Sequence, residues 1–345
     1  MMPMSLEQEV KDRALALGFD AVGITDTAPI GAEHVEHFER WLGSGCAGRM
    51  EYMHRNVEKR LNPAQLRKGA KSVILVALNY RPGPMQDTGG ATHTGTGRVA
   101  MYAQYEDYHL FIKALLRELA AFICMRTRQQ DRFKVCVDSA PVAEKALAVR
   151  AGLGFIGKNH LLIHPQLGPQ ILLGELLTSV PLQPDQPIEG ACLGCNRCTG
   201  VCPTGALRPD GLLDATRCTS YLTQYGPPEE WNAGMMECWN NGAKTAQHSS
   251  LPSFQHPNPV GDWLFGCDEC LRVCPFHEKA PSCANRRFRF YPERAELNLQ
   301  DVLELTPETF EARFHDAPLR RVGFERIKCN ARRCVQAQIA DAQGI

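Results

Sequence analysis

"ACLGCNRCTGVCPTGAL" (residues 191–207) sets four cysteines, Cys192, Cys195, Cys198 and Cys202, at the spacing C-x2-C-x2-C-x3-C, with Pro203 directly after the last. Ligands two residues apart on a short loop wrap one 4Fe–4S cubane. The longer step opens a helical turn that carries the fourth sulfur toward a second cluster. C-x2-C also occurs in zinc knuckles, but zinc normally takes two separated pairs rather than one tight run before a proline. The spacing favours iron–sulfur chemistry, and a second cluster requires a second set of thiols.

That set lies in "FGCDECLRVCPFH" (265–277), where Cys267, Cys270 and Cys274 precede Pro275. The motif is the same, without its first cysteine. Cys218 in "LDATRCTSYL" is the nearest candidate for the missing ligand, and Cys238 competes with it. With the ferredoxin crossover, one cluster takes Cys192, Cys195, Cys198 and Cys274; the other takes Cys202, Cys218, Cys267 and Cys270. Cys124 and Cys136 lie in apolar stretches and read as core residues, while Cys46, Cys283, Cys329 and Cys334 read as free thiols.

The rest of the chain bounds what such an electron wire serves. Its 345 residues are 44% hydrophobic and 22% charged, with 38 basic and 38 acidic side chains. That leaves room for two or three domains with their own cores, and no global field draws the protein to nucleic acid or membrane. No apolar run suits a membrane span, and the N-terminus lacks the pattern of an export signal. Fifteen cysteines then point to a reducing cytoplasm, as metal ligands and thiols rather than disulfides.

The first 185 residues alternate helical and strand patterns. Ser5 with Gln8 reads as a capping box opening an amphipathic helix. "DAVGIT" (20–25), "KSVILVALNY" (71–80), "RFKVCV" (132–137) and "ILLGELLT" (171–178) read as strands. "YEDYHLFIKALLRELAAFICMRTR" reads as one long helix burying Phe111, Leu115, Leu119, Phe122 and Ile123. Asp138 follows a strand and precedes a helix over "VAEKALAVRA", which Gly152 closes. The ordinary role of an aspartate there is to complement the dipole of a helix beginning near Ala140. The alternative is a carboxyl aimed into a cavity at the end of a sheet. "AGLGFIGKN" (151–159) follows a helix, which argues against a dinucleotide fingerprint; its glycines allow close approach of a flat ligand or of another segment. Taken alone, Lys158 reads as a solvated lysine, "EKRLNP" (58–63) as a polar loop, and Asp107-Tyr108-His109 as a helix start.

Taken in order, "EKRLNP", "GAKSVILVALNY", "GRVAMYAQYEDYH", "VDSAPVAEKALAVRAGLGFIGKN", "LGELLT" and the cysteine motifs resemble the epoxyqueuosine reductases, cobalamin-dependent iron–sulfur enzymes of tRNA queuosine synthesis. The resemblance covers roughly residues 5–285, with a looser match at "PLRRVGFERIKCNARR" (318–333). It implies an α+β protein with three parts. A cobalamin-binding α/β domain of nitroreductase and reductive-dehalogenase type spans 1–185. A ferredoxin-like double 4Fe–4S domain spans 186–285, with an inserted loop at 226–262. A short helical, HEAT-like part spans 286–345.

The same resemblance reverses the ordinary reading of Asp138 and implies that it is the proton donor. It implies Arg60 and Met101 against the corrin, with Asp138 above it. The segment ending in Lys158 and Asn159 wraps the cofactor, and Val273 beside Cys274 brings one cluster near the cobalt. A protonated Asp138, its pKa raised by burial, suits a general acid. The implied reaction is reduction of epoxyqueuosine to queuosine in the tRNA anticodon loop. A relative of the same architecture acting on another substrate, or an electron-transfer iron–sulfur protein, are the alternatives. The implied partners are tRNA and an external donor of flavodoxin or ferredoxin type; the protein is expected to be a cytoplasmic monomer without membrane attachment. Arg320, Arg321, Arg326, Lys328, Arg332 and Arg333 either solvate a helix face or bind phosphates. Three features depart from the family: "QYGPPEEW" after "SYLT", the long segment between Cys218 and Cys267, and the short stretch beyond the clusters.

Overall fold

The computed structural model describes residues 4–83, 93–128, 133–192, 194–226 and 260–343; Cys238 and most of the 226–262 segment lie outside them. Nine strands form three sheets among the described residues. They are β1 (Ala21–Asp26), β2 (Ser72–Asn79), β3 (Thr96–Val99), β4 (Lys134–Cys136), β5 (Phe155–Ile156), β6 (Leu162–Ile163), β7 (Ile171–Thr178), β8 (Trp263–Phe265) and β9 (Glu296–Asn298).

The main sheet has the order β1-β2-β7-β4, and each neighbouring pair is antiparallel. β2 is buried at every position, as an unbroken apolar run must be when both faces are covered. Ile74, Val76 and Leu78 pack into a core shared with the helices Leu6–Leu17 and Tyr108–Thr127. Val73 and Leu75 face the other way, against Leu147 and Ala148 of the helix Glu144–Arg150. Ile112 and Leu116 join Leu115, Leu119 and Ile123 on the buried stripe of the long helix, whereas Phe111 and Phe122 are only partly buried. Gly174 on β7 permits that close packing, since a Cβ there would lie 2.6 Å from Ile112 Cγ2. Ser5 does cap the first helix by accepting from the Gln8 amide, but the Gln8 side chain turns to Asp12, so the box is half made.

The second sheet has the order β8-β3-β9, with β3 parallel to β8 and antiparallel to β9. It draws one strand from each of the stretches 1–185, 186–285 and 286–345. Its Val99, Leu264, Phe265 and Leu297 share one core with Phe310, Phe314, Ile327 and Ala331 of the C-terminal helices. The β5–β6 hairpin carries the glycine-rich segment. At Gly154, φ is +154° and a Cβ would lie 2.2 Å from the Ile163 carbonyl oxygen, so the close approach is to the chain itself. No helix among the described residues is long and apolar enough to cross a membrane.

Candidate active site

β4 ends one residue before Val137, and the chain then turns sharply. The next helix begins at Glu144 rather than near Ala140, so Asp138 is not a helix-dipole residue. Asp138 holds φ 55°, a left-handed conformation that few L-residues adopt without support. The turn forms one wall of a cleft of about 540 Å³, lined among others by Tyr52, Arg55, Arg60, Asp138, Tyr225 and Arg321. The Asp138 side chain is 56% exposed toward it.

Three donors converge on one oxygen of that carboxylate. Tyr108 Oη donates to Asp138 Oδ2 at 3.2 Å, His109 Nε2 lies 3.1 Å from the same atom, and Arg321 Nη1 lies 3.8 Å away. None of these contacts reaches Oδ1. His109 is 2% exposed, and its Nδ1 lies 2.6 Å from Asp107 Oδ1. A buried imidazole between two carboxylates is a strong proton holder. Burial works against its charge, but the hydrogen bonds to Asp107 and Asp138 outweigh it and raise the His109 pKa. The His109 hydrogen bond, followed by its charge, Tyr108 and Arg321, holds the Asp138 carboxyl below its usual range despite desolvation. This corrects the expectation of a raised pKa. The two shifts run in opposite directions, favouring the proton on His109 and the charge on Asp138. The helix start expected at Asp107-Tyr108-His109 is present, Asp107 capping that helix by accepting from the His109 amide.

Two further carboxyls stand behind the turn. Glu144 Oε1 accepts from the Asp138 amide at 2.7 Å. Burial, then the charge of Asp138, pushes the Glu144 carboxyl up to about 7. Glu175 on β7 lies beside Cys136 of β4, is 0% exposed, and has no hydrogen-bond partner for either oxygen among the described residues. A buried carboxylate without partners is strongly disfavoured, so desolvation and then the charges of Glu144 and Asp138 raise its pKa well above 4.5. Such a group stabilises the fold fully below pH 4.5, and that contribution is lost as pH rises toward the folded-state pKa. Glu175→Gln is therefore expected to flatten the fall in stability between about pH 5 and 8, read as denaturant midpoints across that range. An unchanged slope would place the proton elsewhere.

The structure brings the cysteines together in two groups. Cys192, Cys195, Cys198 and Cys274 line one cavity of about 40 Å³ with Lys158, Asn159 and Phe276. Burial, then the proximity of Cys192 and Cys195, raises the pKa values of Cys198 and Cys274. In the second group burial raises Cys218, Cys267 and Cys270, and their near neighbours include Cys202, Cys218 and one another. Among the described residues no three such ligands lie close enough to hold a single ion. Four thiols spread around a void suit a cubane better than one zinc.

The expected cofactor contacts do not form one wall. Arg60 and Asp138 share the cleft, and Arg60 Nε is buried with no hydrogen-bond partner among the described residues, which fits a polar group of a bound ligand. Lys158 and Asn159 belong to the cysteine cavity, where the Lys158 amide donates to Cys192 Sγ at 3.4 Å. Met101 is 1% exposed, its Sδ accepting from Gln170 and its amide donating to Asp268, which neighbours Cys267. Val273 ends the short helix Glu269–Arg272, just before Cys274. The basic stripe is divided rather than continuous. Arg320 pairs with Glu311, Arg326 and Lys328 donate to backbone carbonyls, Arg333 is buried, and Arg321 reaches the cleft.

Comparison with known proteins identifies the family. Residues 60–139 match the family described as "Epoxyqueuosine reductase QueG, DUF1730", and residues 191–277 match the "4Fe-4S double cluster binding domain". An epoxyqueuosine reductase of Pseudomonas aeruginosa is 35% identical over 325 residues, covering 94% of this chain and 83% of that one. The Escherichia coli protein of the same name is 32% identical, covering 93% and 78%. A crystal structure of epoxyqueuosine reductase with an epoxyqueuosine-modified tRNA stem loop superposes with a TM-score of 0.81 at 28% identity, over 96% of this chain and 81% of that one. A Bacillus subtilis epoxyqueuosine reductase, captured with its catalytic aspartate loop swung out of the active site, gives 0.80 at 27% identity, covering 96% and 82%. By these relatives, and by the mixed α+β fold it shares with them, the chain belongs to the epoxyqueuosine reductase family.

Proposed function

We propose that this chain reduces epoxyqueuosine to queuosine in the tRNA anticodon loop, with cobalamin and two 4Fe–4S clusters as cofactors. The observation that carries the reading is the Asp107–His109–Asp138 chain ending on the cleft. Removing an epoxide oxygen as water takes two electrons and two protons. Bound cobalamin and the clusters supply the reducing electrons, fed by an external donor of flavodoxin or ferredoxin type. Of the two protons, the chain's own residues hand over one and solvent water supplies the other. His109, between Asp107 and Asp138 and with its pKa raised by the hydrogen bonds to both, is the group placed to hold it. As substrate displaces water from the cleft, Asp138 becomes easier to protonate. The proton passes from His109 to Asp138 and on to the departing oxygen, with Asp138 as general acid. A passive electron carrier has no use for this arrangement.

In this reading Arg60, Met101, Lys158, Asn159 and Val273 hold the corrin, and the two cysteine groups hold the clusters. The Lys158 amide tunes the first cluster through its bond to Cys192. Tyr52 and Arg55, exposed at the cleft, meet the base and phosphates of the anticodon loop. The N-terminal stretch acts as a dehalogenase-type cobalamin domain and the C-terminal helices as a short HEAT-like part, in a cytoplasmic monomer. The catalytic loop that is swung out in the Bacillus subtilis relative supports a second position for the turn bearing Asp138. Nucleoside analysis of tRNA from a strain lacking the gene tests the whole reading. Epoxyqueuosine should accumulate and the gene should restore queuosine; unchanged queuosine would overturn it.

A further inference from the structure

We propose that Glu144 is the positioning residue for Asp138: its carboxylate clamps the backbone of the turn that carries the acid. The inference deepens the reading above and takes from it only the role of Asp138. Residues 138–143 have no helix or strand of their own. Within the turn, the Ser139 amide donates to the Val137 carbonyl at 2.5 Å and the Val142 amide to the Ala140 carbonyl at 2.8 Å. These bonds shape the turn but do not anchor it. The bond from the Asp138 amide to Glu144 Oε1, at 2.7 Å, ties the backbone of its left-handed residue to the scaffold, while Arg60 Nη1 donates to the Val142 carbonyl and Lys113 to Ser139 Oγ, each at 3.4 Å, farther along the turn.

The acceptor is well placed to hold that donor still. Glu144 is the first residue of a helix whose Leu147 and Ala148 are 0% exposed beneath the main sheet. A carboxyl oxygen accepts from that amide with or without the group's own proton, so what the clamp requires is an acceptor held in place rather than a charge. A left-handed aspartate persists only where its surroundings over-determine it. Glu144 fixes the backbone, while His109, Tyr108 and Arg321 meet the carboxyl, so the two sets of contacts act on different atoms of one residue. Without the clamp, the carboxyl keeps its chemistry but loses its place over the cleft. Displacement of a reacting group by about 1 Å is enough to cost on the order of a hundredfold in rate.

The test compares Glu144→Gln, which keeps an oxygen acceptor of similar reach, with Glu144→Leu, which keeps bulk and removes the acceptor. Amide hydrogen exchange is measured on the full-length holoenzyme without tRNA, at 138–143 and, as control, in β2. In Glu144→Leu, exchange at 138–143 should rise by about tenfold or more while β2 is unchanged. Its kcat on epoxyqueuosine-containing tRNA should fall by about tenfold to a hundredfold, with KM within about twofold of wild type. Glu144→Gln should restore most of both. Wild-type exchange at 138–143 in Glu144→Leu would overturn the proposal, as would a glutamine variant as impaired as the leucine one, since charge rather than the clamp would then matter. Should leucine disturb β2, Glu144→Ala serves as the second acceptor-free variant, with the same outcomes. A wild-type enzyme inert on epoxyqueuosine-containing tRNA would sink the functional reading alone, because the exchange data judge the clamp without substrate.

Discussion

Asp138→Asn will retain both clusters and bind cobalamin, yet lose turnover by about a hundredfold to ten-thousandfold. The substitution is nearly isosteric, and the amide oxygen still accepts from His109 and Tyr108, which now meet at Asp138 Oδ2. What it removes is the group that receives a proton from His109 and passes it on. It also removes one of the two carboxylates that raise the His109 pKa, so the imidazole holds its proton less firmly. Both changes act in the same direction. Iron content and the spectrum of bound cobalamin should match wild type, which separates lost proton transfer from lost cofactor. Activity within about threefold of wild type would remove Asp138 from the role of general acid.

Cys218→Ala should lower iron from about eight atoms per chain to about four, with the second cluster's signal lost and the first retained. Cys218 stands at the N-cap position of the helix Thr219–Tyr225, where any cap a thiol makes is weak, so alanine removes a ligand at little cost to the helix. The thiol lies close to Cys202 and Cys267, which is why its loss should strike one group only. Elemental analysis with paramagnetic resonance of the reduced protein reads the result. Eight irons persisting in Cys218→Ala, and lost in Cys238→Ala, would transfer the ligand to Cys238. Zinc in place of iron would break the scheme for both groups.

Much of the architecture was readable because its signals are local. The runs that became β2 and β7 are apolar and rich in β-branched residues or leucine, and their bounds agree with the structure within a residue. The first cysteine group follows from spacing, since three of its members share one loop. What escaped depends on contacts far apart in the chain. Asp107 and His109 look like a helix start and are one. The second role of Asp107 uses the same Oδ1 that caps the helix, so no separate signal exists. The lowered pKa of Asp138 follows from His109 packing across the turn, not from its own neighbours. The basic run at 318–333 forms neither one solvated face nor one continuous stripe, because part of the helix surface is inside: Arg333 is 6% exposed.

The sheet β8-β3-β9 bears on how the molecule is made. While the ribosome is still translating the middle of the chain, β3 has emerged with both hydrogen-bonding edges bare, and neither Trp263–Phe265 nor Glu296–Asn298 exists yet to cover them. Both cysteine motifs leave the exit tunnel before the last of these strands. Closure of this sheet is therefore a late event, and a chain interrupted before residue 296 should present a bare strand edge and be prone to aggregate.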